Sequence, residues 1–157
     1  MGEYVAHFDV VVSGIAGSNA EEWRRALRAP LSELPELSPE QEGVARRFGI
    51  APQEYARSYL ALEYARQRMV ERGKRLGAII ASMSSGIAAG YRIRALVLEA
   101  TKGRWVVQIE TQRGMANIAI PRELADDVLD SGTIQDLDRL KSLLRSSLER
   151  SDLIGLQ

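Results

Sequence analysis

The sequence has no cysteine and a single histidine, His7. The first absence excludes disulfides, thiolate nucleophiles and Cys-ligated zinc. The second excludes metal sites built on several imidazoles. Aromatic residues are scarce at 6%, so the core implied by the 45% hydrophobic content must be mostly aliphatic. Long apolar runs are also missing. The longest, Leu76 to Tyr91, is short of the ~20 residues a bilayer span needs and is rich in Gly and Ser. The N-terminal stretch MGEYVAHFDV lacks a basic region and carries Glu3 and Asp9 early, unlike a secretory leader. The expected setting is therefore cytoplasmic, with no membrane partner.

Charge of one sign is absent overall, with 21 basic and 21 acidic residues. A whole-chain basic footprint for nucleic acid is thus missing. The distribution is uneven, however. Between Gly43 and Arg75 there are eight basic residues against three acidic ones, whereas Pro121 to Gln157 carries eight acidic against five basic. Either the two segments neutralise each other, within one fold or across a dimer, or the basic one meets a polyanion.

A chain of 157 residues fits one domain. Tyr4 to Val12 alternates apolar and polar residues, which predicts a strand. Ser13 to Asn19 is a Gly-rich turn. It ends in a capping arrangement, Ser18 with Glu21 or Asn19 with Glu22, ahead of a short helix through Trp23 and Leu27. Two prolines mark Ala29 to Leu37 as a connector. Ser38-Pro39-Glu40-Gln41 opens a further helix that Gly49 ends.

Pro52 then opens a helix reaching Met83. Tyr55, Leu62, Met69, Leu76 and Met83 recur every seven residues. Tyr59, Arg66, Gly73 and Ile80 follow the first four at a spacing of four, a heptad seam interrupted by Arg66 and Gly73. Thirty helical residues run ~45 Å, about the ~40 Å diameter of a compact domain of this length. Such a helix either crosses the body, bends at Gly73 or Gly77, or projects towards a partner.

Ser84 to Gly90 reads as a joint. Three alternating runs follow, Tyr91–Ala100, Arg104–Thr111 and Met115–Ile120, joined by short Gly-containing turns that signal antiparallel hairpins. Two helices close the chain. The first starts at Pro121 with Leu124, Val128 and Leu129 on one face; the second is capped by Thr133, with Leu137, Leu140, Leu144 and Leu148 inward. The tail from Leu153 is apolar. The expected fold is α+β: an antiparallel sheet of about four strands, made of the N-terminal strand plus a three-stranded meander, with helices on one face. Residues 1–157 form a single domain in this reading, with 38–83 as a helical insertion or arm.

No catalytic constellation emerges, and the chain is expected not to be an enzyme. The turn at Gly14 and Gly17 lacks the spacing and the Lys of phosphate-binding loops. Asp126 and Asp130 share a helical face but have no third ligand for Mg²⁺. His7 and Asp9 have no nucleophile beside them. No cofactor or metal is expected. Gln41 to Leu60 has a helix–Gly turn–helix pattern, with Val44, Ala45, Phe48, Ile50, Tyr55 and Tyr59 as its buried set, and resembles a DNA-binding unit or an ordinary αα-corner. Two function classes follow. In the first, the chain is a non-catalytic assembly protein, a homo-oligomer or partner-binding module that pairs through Tyr55, Tyr59, Leu62, Arg66, Met69, Leu76, Ile80 and Met83. In the second, it binds nucleic acid through the Arg-rich segment 41–75, with Arg46, Arg47, Arg57, Arg68, Arg72, Lys74 and Arg75 as contacts.

Overall fold

The computed structural model describes residues 8–83 and 91–154, with side chains described to residue 150. His7, the joint at 84–90 and the end of the apolar tail lie outside the described residues. The fold is α+β. In chain order it contains strand β1 (Asp9–Ser13) and helices α1 (Ala20–Arg28), α2 (Pro39–Arg47) and α3 (Pro52–Met83). Strands β2 (Arg92–Glu99), β3 (Arg104–Thr111) and β4 (Gly114–Pro121) follow, then helices α4 (Arg122–Asp130) and α5 (Ile134–Ile154). Among the described residues no helix is long and apolar enough to cross a membrane.

Contacts divide the chain into two compact units, Ile15–Met69 and Met1–Gly14 with Val70–Gln157. In the first, α1 begins with a reciprocal capping box: the Glu22 amide donates to Asn19 Oδ1 at 2.9 Å, and the Asn19 amide to Glu22 Oε2 at 3.0 Å. Ser38 and Gln41 make the same box for α2. Gly49 adopts a left-handed φ of +68° after α2, and the Ile50 amide then reaches back to the Ala45 carbonyl at 2.9 Å. That closure turns the chain into α3. Ala26 and Ala29 of the α1 end pack with Leu60, Ala61 and Tyr64 of α3, and the Arg25 guanidinium lies 3.9 Å over the Tyr64 ring.

The second unit holds a four-stranded sheet in the order β1-β2-β3-β4. The hairpins β2–β3 and β3–β4 are antiparallel, as their short turns require. The first strand departs from the expected wholly antiparallel sheet: β1 pairs parallel to β2, Val10 beside Leu96 and Val12 beside Leu98. The reason lies in the connection. Ser13 and Arg92 are separated by three helices, and a long helical crossover returns the chain in the same direction, whereas a tight turn reverses it.

Trp105, Val107 and Ile109 of β3 stand opposite Ile120, Ile118 and Ala116 of β4, all buried on one face. A bulge after Ile93 resets the β2 alternation so that Ile93, Leu96 and Leu98 join them. The helices of this unit lie on this face. α3 contributes Leu76 and Ile80, α4 contributes Leu124, Val128 and Leu129, and α5 contributes Leu140, Leu144 and Leu148. Full burial of each large aliphatic side chain contributes about 1.5–3 kcal/mol.

α3 passes through Gly73 and Gly77 without a break. The glycines instead let the helix approach the sheet. A Cβ on Gly73 would overlap Val10 Cγ1 and stand 2.9 Å from the Trp105 ring. One on Gly77 would overlap the Phe8 ring and stand 2.8 Å from Leu96 Cδ1. Among the described residues of this unit, no helix covers the opposite sheet face. Across its middle runs the row Val11, Val97, Val106 and Ala119, each residue beside the next in register.

Candidate interaction surface

The sequence-derived seam on α3 divides in the structure. Met69, Leu76 and Ile80 are buried within the chain, and Met83 is half-buried. Leu76 and Ile80 are therefore core residues of the sheet unit, so they have no free surface to offer a partner. Tyr55 and Leu62 are half-buried, and Tyr59 and Arg66 are exposed. At 100° per residue these four lie on one side of α3, roughly 150° from the mean direction of Ala56, Leu60, Ala61 and Tyr64. This part of the helix is thus buried on one side and carries an aromatic stripe on the other.

Tyr55 and Tyr59 stack edge to face, with ring centroids 5.1 Å apart and an interplanar angle of 72°. Their hydroxyls meet at 3.4 Å. That shared hydrogen bond raises the Tyr55 hydroxyl above its ordinary pKa. Arg66 reaches only Glu63, one turn back, at 3.5 Å.

The helix–turn–helix expectation needs correction in its packing. Of its expected buried set only Ala45 is fully enclosed; Phe48 is 70% exposed, and Ile50 and Tyr59 are each 37% exposed. The turn at Gly49 follows directly on Phe48, the cap residue of α2. α1 adds exposed Trp23 and Leu27, one turn apart. The sequence places these two on a helix but does not assign them a face.

Most of the arginines anticipated as nucleic-acid contacts hold the protein together instead. Arg57 Nη1 donates to the carbonyls of Ala26, Leu27 and Ala29 at 2.7, 3.0 and 3.0 Å, closing the C-terminus of α1. Arg68 pairs with the nearly buried Glu22, whose other oxygen completes the α1 cap. Arg72 reaches Asp126 at 2.7 Å and Asp130 at 2.9 Å. Asp130 holds Arg72 above the ordinary guanidinium value, and Arg72 holds the Asp130 carboxyl below its own. Arg75 donates to the Leu129 carbonyl at 3.0 Å, and Lys74 pairs with Glu71 at 3.2 Å. Arg46 and Arg47 are exposed at the end of α2.

The same contacts involve residues of the other chemistries that the sequence suggested. The space between Asp126 and Asp130 is taken by a guanidinium, which is already the counterion a metal would be. The Ser13–Asn19 turn serves as the entry to α1. An open groove beside α5 is lined by Leu124, Gln135, Asp138, Arg139 and Ser142. Arg139 there is directed to Asp127 and Asp136. Compared with known proteins, the chain matches no family model, no curated protein and no solved structure.

Proposed function

We propose that this protein is a non-catalytic assembly module that self-associates through the outer side of α3, with Tyr55, Tyr59, Leu62 and Arg66 at the contact. The observation that carries this reading is the aromatic stripe itself, which lies far from the side that this half of the helix buries. Phe48 and Ile50, in the turn that enters α3, add exposed apolar surface. Aromatic residues and arginine are the side chains that interfaces concentrate.

An antiparallel pair of α3 helices about a two-fold axis near residues 60 and 61 gives every seam position a suitable neighbour. Tyr59 of one chain meets Leu62 of its partner, and Tyr55 meets Arg66. The guanidinium then lies over a tyrosine ring, a contact of about 0.5–2 kcal/mol. Arg66 ceases to be an interruption of the seam and becomes a component of it.

Light scattering coupled to gel filtration tests the reading. At roughly tens of micromolar the chain should exceed one protomer in mass, and Tyr59→Glu should lower that mass. A wild type that runs as one protomer throughout that range, or a Tyr59→Glu mass equal to the wild type's, overturns it.

Nucleic-acid binding is the lesser reading. It rests on Arg46 and Arg47, since Arg57, Arg68, Arg72, Lys74 and Arg75 have partners within the chain. Two phosphate contacts would give affinity a log–log salt slope of only about −2. Absence of retention on heparin at low salt would dismiss it.

A further inference from the structure

Among the described residues of its own unit, the sheet has one face under helices and one face without them. On the second face Val11 is 49% exposed and Met115 is 56% exposed, and Val97 and Val106 are half-buried. Charged side chains stand at both ends of this apolar row. At one end Arg94 on β2 pairs with Glu110 on β3; at the other, Glu99 on β2 pairs with Arg104 on β3 at 3.0 Å. Arg104 holds the Glu99 carboxyl below its ordinary value. The face thus has one apolar row at its centre, a more polar row of Asp9, Ala95, Gln108 and Asn117 beside it, and charges of both signs at its rim, where Arg92 stands level with Glu110.

We propose that this open face docks onto the same face of a second copy of the chain, with strands aligned. The argument is the symmetry of the register. A two-fold axis running along the strands between β2 and β3 places β2 over the partner's β3, and β1 over its β4. Every residue keeps its level along the strand and changes column. Val97 then lies over Val106, and Val11 over the small Ala119, so large and small side chains interdigitate. In register Glu110 lies over Arg92, with Arg94 beside it, and Glu99 lies over Arg104, while Asp9 lies over the neutral Asn117, so no rim charge meets its like. Aligned sheets pack about 10 Å apart at about −30°, which keeps the central columns in contact.

The area is sufficient without being large. Strands ~4.8 Å apart and residues ~3.4 Å along each strand give roughly 500 Å² per copy, or about 1,000 Å² in all, the lower limit of a specific interface. The contact is therefore a weak, concentration-dependent one. It uses none of the α3 stripe residues and stands independently of the reading above.

The absence of native cysteine makes the test direct. Sedimentation of the full-length Tyr59→Glu chain, in which the α3 contact is disabled, should still show a monomer–dimer equilibrium. Adding Val106→Glu should weaken that dimer at least about tenfold, because a charge is then buried against valine. Glu110→Arg should weaken it as well, by setting Arg92 against arginine, and Arg92→Glu in the same chain should restore it. Circular dichroism and melting confirm that each variant is folded. In a mixture of Val97→Cys and Val106→Cys chains, a short bis-maleimide should join unlike chains in preference to like ones. A Tyr59→Glu chain that sediments as a monomer at every concentration overturns the sheet contact and leaves the α3 reading intact. Dimerisation unaffected by Val106→Glu and by Glu110→Arg, or cross-linking without preference for unlike chains, overturns it too. A wild type indistinguishable from Tyr59→Glu, with Val106→Glu monomeric in both, sinks the α3 reading and keeps this one.

Discussion

Leu62 and Leu76 occupy equivalent positions of one seven-residue spacing on one helix. Leu62 is half-buried with Tyr59 exposed beside it, whereas Leu76 is completely buried with Ile80. The first half of α3 turns Ala56, Leu60, Ala61 and Tyr64 inward, so its seam residues face outward. The second half turns Leu76 and Ile80 inward, so its seam is the core. A straight α-helix has 3.6 residues per turn and drifts about 20° per heptad against a 3.5-residue seam. Over the two heptads from Leu62 to Leu76 that drift is about 40°, too little to carry a residue to the opposite side, so the change comes from which neighbours the fold supplies. A heptad spacing shows that a helix has an apolar side. It does not show whether that side meets the chain's own sheet or a second molecule.

The sharpest way to break this comparison is to truncate both leucines. Leu76→Ala should destabilise the chain by about 2–5 kcal/mol through lost transfer energy and a residual cavity. Leu62→Ala should cost less than about 1 kcal/mol in the monomer. Urea unfolding at a concentration low enough to suppress association reads both. Equal losses would mean that the first half of the seam is as structural as the second.

Glycine offers the next contrast. Gly43 lies inside α2 with nothing within 4 Å of where a Cβ would stand, whereas Gly73 lies against Val10 and Trp105. Helix propensity alone predicts that alanine improves both sites by up to about 1 kcal/mol. Gly43→Ala should show that gain. Gly73→Ala should lose about 1–3 kcal/mol, because the β-branched Val10 and the buried Trp105 ring cannot yield without moving the sheet. The difference in denaturation midpoints between the two variants decides the point, and a stabilised Gly73→Ala chain would contradict the close approach.

Much of this architecture was legible in the sequence. The capping boxes at Asn19 and Ser38, the Gly49 stop, the Pro52 start and the hairpin turns before Gly103 and Gly114 are local, and local chemistry specifies them. The parallel pairing of β1 is not local. Nothing in Asp9–Ser13 tells parallel from antiparallel, and only the helical crossover settles it. The candidate site was legible by half for the same reason. Periodicity located Tyr55, Tyr59, Leu62 and Arg66 but also drew in Met69, Leu76 and Ile80, whose partners come from distant segments. The arginines were misleading because charge content does not reveal that Arg57 and Arg75 close helix ends or that Arg72 already holds two aspartates.

Acid separates the ion pairs from the apolar core. Arg72 depresses the Asp130 carboxyl, so this pair stabilises the fold above the unfolded aspartate value of about 3.9. That contribution fades as pH falls through the lower folded value. Asp130 is largely exposed, so the effect is small against a core truncation. Urea midpoints measured between about pH 5 and pH 3 should fall, and Asp130→Asn should remove part of the fall. An unchanged acid limb in that variant would show that Arg72 relies on Asp126 alone.

The smallest effect concerns two kinds of tyrosine. The Tyr55 hydroxyl is shared with Tyr59, while the Tyr91 hydroxyl at the start of β2 is buried and has no hydrogen-bond partner among the described residues. Burial pushes Tyr91 up to about 12. A raised tyrosine value favours the neutral form in the fold, so stability is intact below the unfolded value of about 10 and declines as pH rises towards 12. Tyr91→Phe removes a hydroxyl that forfeits its water without recovering a bond. It should therefore leave stability unchanged or raise it by up to about 1 kcal/mol at neutral pH. It should also flatten the loss of stability above about pH 10. A clear destabilisation at neutral pH would instead mean that the hydroxyl is satisfied, and the two tyrosine environments would then be alike.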